Sequence, residues 1–310
     1  MFSLPVWVLI CLTQQLATAQ SLEGDTTSYI FYDNIDWLSN TSNITPLSYS
    51  SMQKSFANPS RRDSAQFSGL DWTKPFPGEP IDGFGAHLRV AHDVEVPESV
   101  MPNVTTQVSA ITYSIPEAMM DGGSVPKAID PSWYICQHYY VSTRPDPTLD
   151  VDHSCGFLPE RCLADLNASL TENWGNLDDT IPCSGYALGS IPVSCRDTLG
   201  PVRSDVLGWD LSLFQDPASA KGLVVDEVGQ SSWMIGTGFG DSGNTTAYYA
   251  ASNRTYLVAT VFGYSSVVDE AKRQAPHASL ACLRPQWALL SGTDPSDNGT
   301  SLSPTSEVQV

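Results

Sequence analysis

Apolar and polar residues alternate with a period of two along many short segments of this chain. In residues 84–91, one face collects large apolar side chains and the other collects small or polar ones. The apolar positions are Phe84, Ala86, Leu88 and Val90. This alternation is typical of antiparallel strands that bury one face and leave the other half exposed.

Two longer segments are apolar on both faces. Residues 255–264, TYLVATVFGY, are rich in β-branched and aromatic side chains, which predicts a central strand. Residues 132–142 also carry apolar and aromatic side chains on both faces, so another part of the chain must cover the second face. Further strands are predicted at 28–32, 66–72, 107–114, 207–213, 222–226, 232–239, 246–251 and 279–283.

Turns rich in Gly, Pro and Asn separate these segments, and many short strands of this kind predict an all-β fold. We expect an antiparallel β-sandwich of the jelly-roll or lectin type, with one short helix stapled by a disulfide. A β-barrel and a propeller are the alternatives. No repeat of propeller length is visible, which counts against the propeller.

The predicted helix covers residues 159–171, PERCLADLNASLT. Pro159 suits the first helical position, where no backbone N–H is needed. A second, shorter helix is predicted at 267–273. The apolar stripe of the first helix is narrow and consists of Leu163, Leu166 and Leu170.

The first residues, MFSLPVWVLICLTQQLATAQ, are typical of a secretory signal peptide. The apolar run 4–12 is too short to span a bilayer, and Ala17 and Ala19 supply the small residues of a cleavage site. We therefore expect three parts: a signal peptide over 1–19, a single β-rich extracellular domain over 20–290, and a disordered Ser/Thr/Pro tail over 291–310.

Cleavage removes Cys11 and leaves six cysteines, which are Cys136, Cys155, Cys162, Cys183, Cys195 and Cys282. An even number of cysteines in a secreted chain predicts disulfides. Among the pairings that six cysteines allow, we predict two local bridges and one between strands: Cys155–Cys162, Cys183–Cys195 and Cys136–Cys282. The chain has no C-x-x-C pair and no histidines at zinc-finger spacing, so we predict no metal site of that kind.

Seven N-x-[ST] sequons follow the signal peptide, and their density predicts a glycoprotein. They begin at Asn40, Asn43, Asn103, Asn167, Asn244, Asn253 and Asn298. The net charge of −19 repels nucleic acid and anionic membranes. We expect no nucleic-acid partner, no membrane span and no cofactor, and the oligomeric state stays open.

The segment 131–166 contains a W-x-x-C pattern, Trp133 to Cys136, followed by DHSCGFLPERCLADL. This pattern resembles uncharacterised fungal secreted glycoproteins with similar cysteine spacing. The resemblance implies a fungal extracellular glycoprotein with a β-rich domain. It covers a small part of the chain and implies no catalytic residues.

Several short motifs suggest chemistry. GDSGN at 240–244 is similar to the sequence around the serine nucleophile of trypsin-like proteases, with His92 as the nearest base. Because the usual cysteine beside that histidine is missing, we interpret the motif as a hairpin turn. The E-x-D-x-x-E motif of sandwich-fold glycosidases is absent. The dibasic pairs Arg61–Arg62 and Lys272–Arg273 are candidate processing sites.

The candidate site lies on the second face of strand 132–142 and on the loop 143–154. Aromatic walls with a few ionisable groups suit a ligand-binding pocket or a cofactor-free cyclase. The alternative is that the tyrosines of this face only pack under the helix. The candidate residues are Tyr134, His138, Tyr140, Asp150, Asp152 and His153.

These patterns favour a secreted glycoprotein that binds an extracellular glycan or an apolar small molecule without a cofactor. The alternative is an enzyme of the secretory pathway. It would be a cofactor-free cyclase or isomerase of fungal secondary metabolism, or a glycan-active hydrolase. A deep apolar pocket with one or two convergent polar groups would favour the enzyme, and a shallow aromatic-lined face would favour the binder.

Overall fold

The computed structural model describes residues 27–32, 44–98, 101–122, 125–142, 144, 153, 155–172, 174, 191–200, 202–210 and 233–287. In chain order the strands are β1 (Thr27–Tyr32), β2 (Ile44–Ser48), β3 (Arg61–Leu70), β4 (Pro80–Glu95), β5 (Thr105–Ser114), β6 (Met120–Asp121), β7 (Val125–Pro126), β8 (Trp133–Ser142), β9 (Val202–Asp210), β10 (Trp233–Gly236), β11 (Thr255–Tyr264), β12 (His277–Leu283) and β13 (Gln286–Trp287). The helices are α1 (Tyr49–Phe56), α2 (Glu160–Thr171), α3 (Arg196–Leu199) and α4 (Thr245–Ser252).

Two sheets form a β-sandwich, which confirms the predicted fold class and excludes a closed barrel. The larger sheet has the order β13-β3-β4-β5-β10-β1-β2, and the smaller has the order β12-β11-β8-β9. All neighbouring strands of these sheets run antiparallel except β1 and β10, which are parallel. Strands β6 and β7 pair separately as a short hairpin.

The core between the two sheets follows the predicted alternation. Phe84, Ala86 and Leu88 on β4 are almost completely buried. They pack with side chains of the smaller sheet, among them Tyr139 and Phe262. Burying a Phe or Leu side chain in this way stabilises the fold by about 1.5–3 kcal/mol each, so this core is the main force that holds the sheets together.

The predicted helix is confirmed as α2, which begins one residue after Pro159. It covers the outer face of the smaller sheet, because Leu166 and Leu170 belong to the same buried cluster as Tyr134 and Tyr140 on β8. The outer face that the sequence left uncovered therefore receives a third layer, made of α2 and the cysteine-bearing segments around it.

The predicted disulfide pairing is wrong. Cys155 bonds Cys282 on β12, and Cys162 bonds Cys195, so none of the three predicted bridges forms. Cys136 is also disulfide-bonded. The predicted local bridge Cys155–Cys162 does not form, because the chain before α2 runs alongside β12 instead of folding back onto the helix. The amide of Cys282 donates to the His153 carbonyl at 2.9 Å, which brings Cys155 to the strand.

Other sequence predictions fail at particular places. The predicted strand 246–251 is the helix α4, because Asn244 caps its first turn. The predicted helix 267–273 forms only a single 3-10 turn, Glu270–Lys272. Arg61–Arg62, a candidate processing site, is paired within β3 rather than placed in a loop. The predicted signal peptide, strand 222–226 and C-terminal tail lie outside the described residues.

The outer face of the larger sheet is partly covered by α1. Met52 and Phe56 of this helix pack on Ala91, Val94 and Val108. None of the described helices combines the length and the apolar character that crossing a membrane requires.

Candidate functional site

His138, the centre of the predicted site, lies in the interior of the protein. Its side chain is fully buried, and neither ring nitrogen has a hydrogen-bond partner among the described residues. The ring stacks on Tyr140, with ring centroids 6.5 Å apart. Its cross-strand neighbours are Ala259 and Val206, which carry no charge. Burial lowers the pKa of His138 to about 4, so the imidazole is neutral at physiological pH.

His153 takes part in a different contact. Its Nε2 lies 2.8 Å from Oδ1 of Asp63 on β3, in the other sheet. Asp63 also accepts the backbone amide of Arg284 at 2.7 Å, so it ties the loop before Cys155 to the edge of the larger sheet. The structure therefore separates His153 from His138.

The remaining predicted site residues do not complete a pocket on this face. Tyr134 and Tyr140 are buried in the cluster under α2. Asp150 and Asp152 lie outside the described residues. A functional role for these residues stays a prediction, and the geometry of the tyrosines matches the packing alternative.

A different feature, an irregularity in β4, creates a pocket. The register with β5 shifts between Ala91 and Val94, and both of these side chains point into the cluster under α1. The two residues between them are His92 and Asp93, and Asp93 has a backbone φ of 51°. Asp tolerates this left-handed conformation better than most residues, and such bulges re-aim side chains at the end of a strand.

The carboxylate of Asp93 holds the loop that follows Gly240. It accepts the Gly243 amide at 3.1 Å, and Gln107 Nε2 and Thr105 Oγ1 at 3.3 Å each. Burial alone would raise the pKa of Asp93, but these hydrogen bonds outweigh burial and hold the pKa below its ordinary value. Asp93 is therefore ionised, and its carboxylate fixes the position of the residues at the start of α4.

Helix α4 presents Tyr248 to the same pocket. Asn244 is the N-cap of this helix, since its side chain accepts a hydrogen bond from the Ala247 amide at 3.1 Å. Arg61 Nε donates to the Tyr248 hydroxyl at 3.2 Å, and the guanidinium lies 5.9 Å from the ring centroid. The His92 ring meets the Tyr248 ring edge-on at 6.2 Å.

The phenol of Tyr248 has an unusual environment. Burial alone would raise the pKa of Tyr248, but hydrogen bonds from Arg61 and Ser60 outweigh it and lower the pKa below its ordinary value. The nearby positive charge of Arg61 acts in the same direction. The phenol is therefore more acidic than that of an exposed tyrosine.

These groups surround a cavity of about 430 Å³, which falls in the range of small-ligand pockets. The Tyr248 ring lines this cavity together with polar groups of the β4 bulge and of the α4 start. The lining residues are Ser60, His92, Asp93, Gln107, Gly243, Asn244, Thr245 and Tyr248.

The GDSGN motif lies beside this pocket but does not form a protease triad. Ser242 Oγ donates to Asp93 Oδ2 at 3.3 Å, and His92 Nδ1 lies 3.7 Å from the same oxygen. In a triad the histidine stands between serine and aspartate and accepts the serine proton. Here Asp93 stands between them, so His92 does not activate Ser242. The motif is also not a hairpin turn, because it leads into α4.

The described residues contain no group of three or more His, Cys, Asp or Glu side chains that could hold a metal ion.

Four predicted glycosylation sites are exposed, namely Asn103, Asn167, Asn244 and Asn253. Two of these, Asn244 and Asn253, stand at the two ends of α4. Asn40, Asn43 and Asn298 lie outside the described residues.

Sequence reasoning missed this pocket because its two halves are far apart in the chain. The GDSGN motif points to Ser242 and His92 as a weak protease pair, whereas no motif in the sequence marks Gln107 or Tyr248. An available signal is Asn244 in front of TTAYYAAS, which indicates a helix start.

In the comparisons with known proteins, no family model matches the chain, and no curated protein or solved structure matches it either.

Proposed function

We propose that this protein is a secreted fungal glycoprotein that binds an extracellular glycan in the pocket at the β4 bulge. The predicted signal peptide, the disulfides and the exposed sequons support the extracellular part of this proposal. The fungal origin rests on the cysteine pattern of residues 131–166 alone.

One observation carries the glycan proposal: the aromatic ring of Tyr248 and several polar side chains line the same accessible cavity. A sugar has an apolar ring face and a polar rim of hydroxyl groups. An aromatic ring can cover the first, while hydroxyl, amide and imidazole groups bind the second. Thr245 and His92 supply these polar groups, and both are exposed.

Glycan hydrolysis has less support than binding. Glycosidases of the common types need two carboxyl groups on either side of the scissile bond. Among the described residues that line the cavity, only Asp93 carries a carboxylate, and four donors from protein groups hold it in place.

The test uses two neighbouring tyrosines of α4. The secreted protein is applied to an array of oligosaccharides and, separately, titrated with an apolar fluorescent dye. We expect binding to a subset of glycans that Tyr248→Ala reduces about tenfold or more, since ring stacking and burial contribute about 1–3 kcal/mol. Tyr249→Ala is the matched control, because Tyr249 is 60% exposed and does not line the cavity.

Two results would overturn the proposal. Equal glycan binding by wild type and Tyr248→Ala would remove this pocket from the binding site. Binding of the apolar dye at this pocket, without any glycan binding, would favour an apolar ligand instead.

The acidic phenol of Tyr248 favours a second candidate, a cofactor-free isomerase or cyclase. A tyrosine with a lowered pKa and an arginine on its hydroxyl can exchange a proton with a bound substrate. Tyr248→Phe distinguishes the two functions, because it keeps the ring and removes only the hydroxyl. A binder keeps most of its affinity in this variant, whereas an enzyme keeps binding and loses turnover.

A further inference from the structure

A second cavity, of about 400 Å³, lies on the other side of the sandwich from the β4 bulge. It opens where α2 and β11 end and where the chain returns towards β12. Thr171 and Trp174 border it on the helix side, and Tyr264 borders it on the strand side. Arg273 and Gln274 close it from the segment that precedes β12.

The floor of this cavity is a fixed pair of aromatic residues. Trp174 Nε1 donates to the Tyr264 carbonyl at 2.9 Å, and the Tyr264 hydroxyl donates to the Trp174 carbonyl at 3.4 Å. The Trp174 ring lies against Gly263, where any Cβ would come within 2.1 Å of it. Phe76 supports Tyr264 from below, with ring centroids 5.8 Å apart.

Arg273 is held over this floor with its charge accessible. Its Nε donates to the Val268 carbonyl at 3.0 Å, and its guanidinium carbon lies 5.1 Å from the Tyr264 ring centroid. Arg273 is exposed, and no carboxylate pairs with it within the part of the chain that the structure describes. The neighbouring cation, Lys272, pairs with Asp269 at 3.5 Å and does not line the cavity.

We propose that this cavity binds a small carboxylate ligand of the uronic acid class. The N–H groups of a guanidinium can form two parallel hydrogen bonds to the two oxygens of a carboxylate. Stacking on Tyr264 fixes the orientation of the Arg273 guanidinium before the ligand binds. Thr171 and Gln274 line the same cavity and can bind the hydroxyl groups of the sugar. The proposal is independent of the glycan pocket, because the two cavities share no residue.

The net charge of the chain makes this arrangement selective. A surface with a charge of −19 repels anions in general, so an anion binds only where a cation is fixed locally. The ligand must therefore carry a carboxylate that reaches Arg273. The matched uncharged sugar has no such attraction.

The experiment titrates the whole secreted protein with D-glucuronate and, in parallel, with D-glucose, by NMR or calorimetry at low salt. We expect glucuronate to bind about tenfold or more tightly than glucose, because hydrogen bonds to charged groups contribute about 1.5–3 kcal/mol. Arg273→Gln should remove this difference. Lys272→Gln removes the same charge one residue away and should change the affinity less than about twofold, since exposed pairs contribute little.

A thermal melt of each variant shows that the fold is kept, and Arg273→Lys separates charge from the planar guanidinium. We expect the lysine variant to bind more weakly than wild type, although it carries the same charge. Three results would each overturn the proposal: equal binding of the two sugars, equal losses in the two glutamine variants, or no binding of glucuronate at all. Because Tyr248→Ala leaves this cavity intact, glucuronate binding should persist in that variant.

Discussion

The two outer layers of the sandwich are held in place by different interactions. On the smaller sheet, α2 and its neighbouring segments are attached through the disulfides Cys155–Cys282 and Cys162–Cys195 and through an apolar cluster. On the larger sheet, the start of α4 is attached by hydrogen bonds to the carboxylate of Asp93. We call these the cysteine layer and the bulge layer.

This difference explains why the cysteine layer packs closely around His138, whereas the bulge layer surrounds a cavity. The narrow apolar stripe of α2 gives little stability by itself, and the covalent bonds let it stay packed on the sheet. Within the described part of the chain, this close packing leaves His138 without a hydrogen-bond partner. In the bulge layer, a single carboxylate organises polar loops around a cavity of about 430 Å³. We infer that the disulfides and the apolar cluster of the cysteine layer contribute mainly to stability, whereas the hydrogen bonds of the bulge layer mainly position the groups that line its cavity.

The largest expected effect is the loss of a disulfide in the cysteine layer. Cys155 and Cys282 close a loop of 127 residues, and replacing both by Ala should lower the free energy of unfolding by about 5 kcal/mol. Cys162 and Cys195 are only 33 residues apart, so the corresponding double variant should lose about 4 kcal/mol. Guanidinium unfolding curves measure both.

If both double variants lost less than about 1 kcal/mol in the free energy of unfolding, the disulfides would not be what holds the cysteine layer in place. The apolar cluster alone would then hold the cysteine layer. The matched control is a variant of the bulge layer with an exposed change, Tyr249→Ala, which should unfold like wild type.

The next effect concerns the pH dependence of stability. The pKa of His138 is lowered by burial to about 4 in the folded protein, from an ordinary value of 6.5. Below pH 6.5 the unfolded chain therefore binds a proton that the folded protein does not yet bind. The free energy of unfolding should fall by about 3 kcal/mol as the pH drops from 6.5 to about 4, with no contribution above that range.

His138→Leu isolates this contribution. We expect the variant to lose the corresponding part of the acid dependence, because leucine does not titrate. At pH 7 its stability should lie within about 1 kcal/mol of wild type, since the histidine that it replaces makes no side-chain hydrogen bond to any residue that the structure describes. Val267→Ala is the control, because this side chain is exposed and carries no ionisable group. An unchanged curve for His138→Leu would mean that other groups cause acid unfolding.

The sequence predicts the regular parts of this molecule well and its irregular parts poorly. The alternation of Phe84 to Val90 and the features of α2 depend only on local patterns, and both appear as predicted. The partner of Cys155 depends on how a loop runs along β12, which no local pattern encodes. The pocket requires a bulge at Asp93 and a helix start at Asn244, about 150 residues apart, so it emerges only when the strands are paired.

The smallest expected effect is that of Ser242→Ala, which tests whether the bulge layer holds a nucleophile. The Ser242 hydroxyl is exposed, and its hydrogen bond to Asp93 is long, at 3.3 Å. The Gly243 amide and the side chains of Gln107 and Thr105 bind the same carboxylate, so Asp93 keeps its position without the hydroxyl. We expect a change in the free energy of unfolding below about 0.5 kcal/mol and unchanged ligand binding. A large loss of any measured turnover with normal melting would show that His92 and Ser242 rearrange into a working pair when a substrate binds. That result would turn the bulge layer from a binding site into a catalytic site.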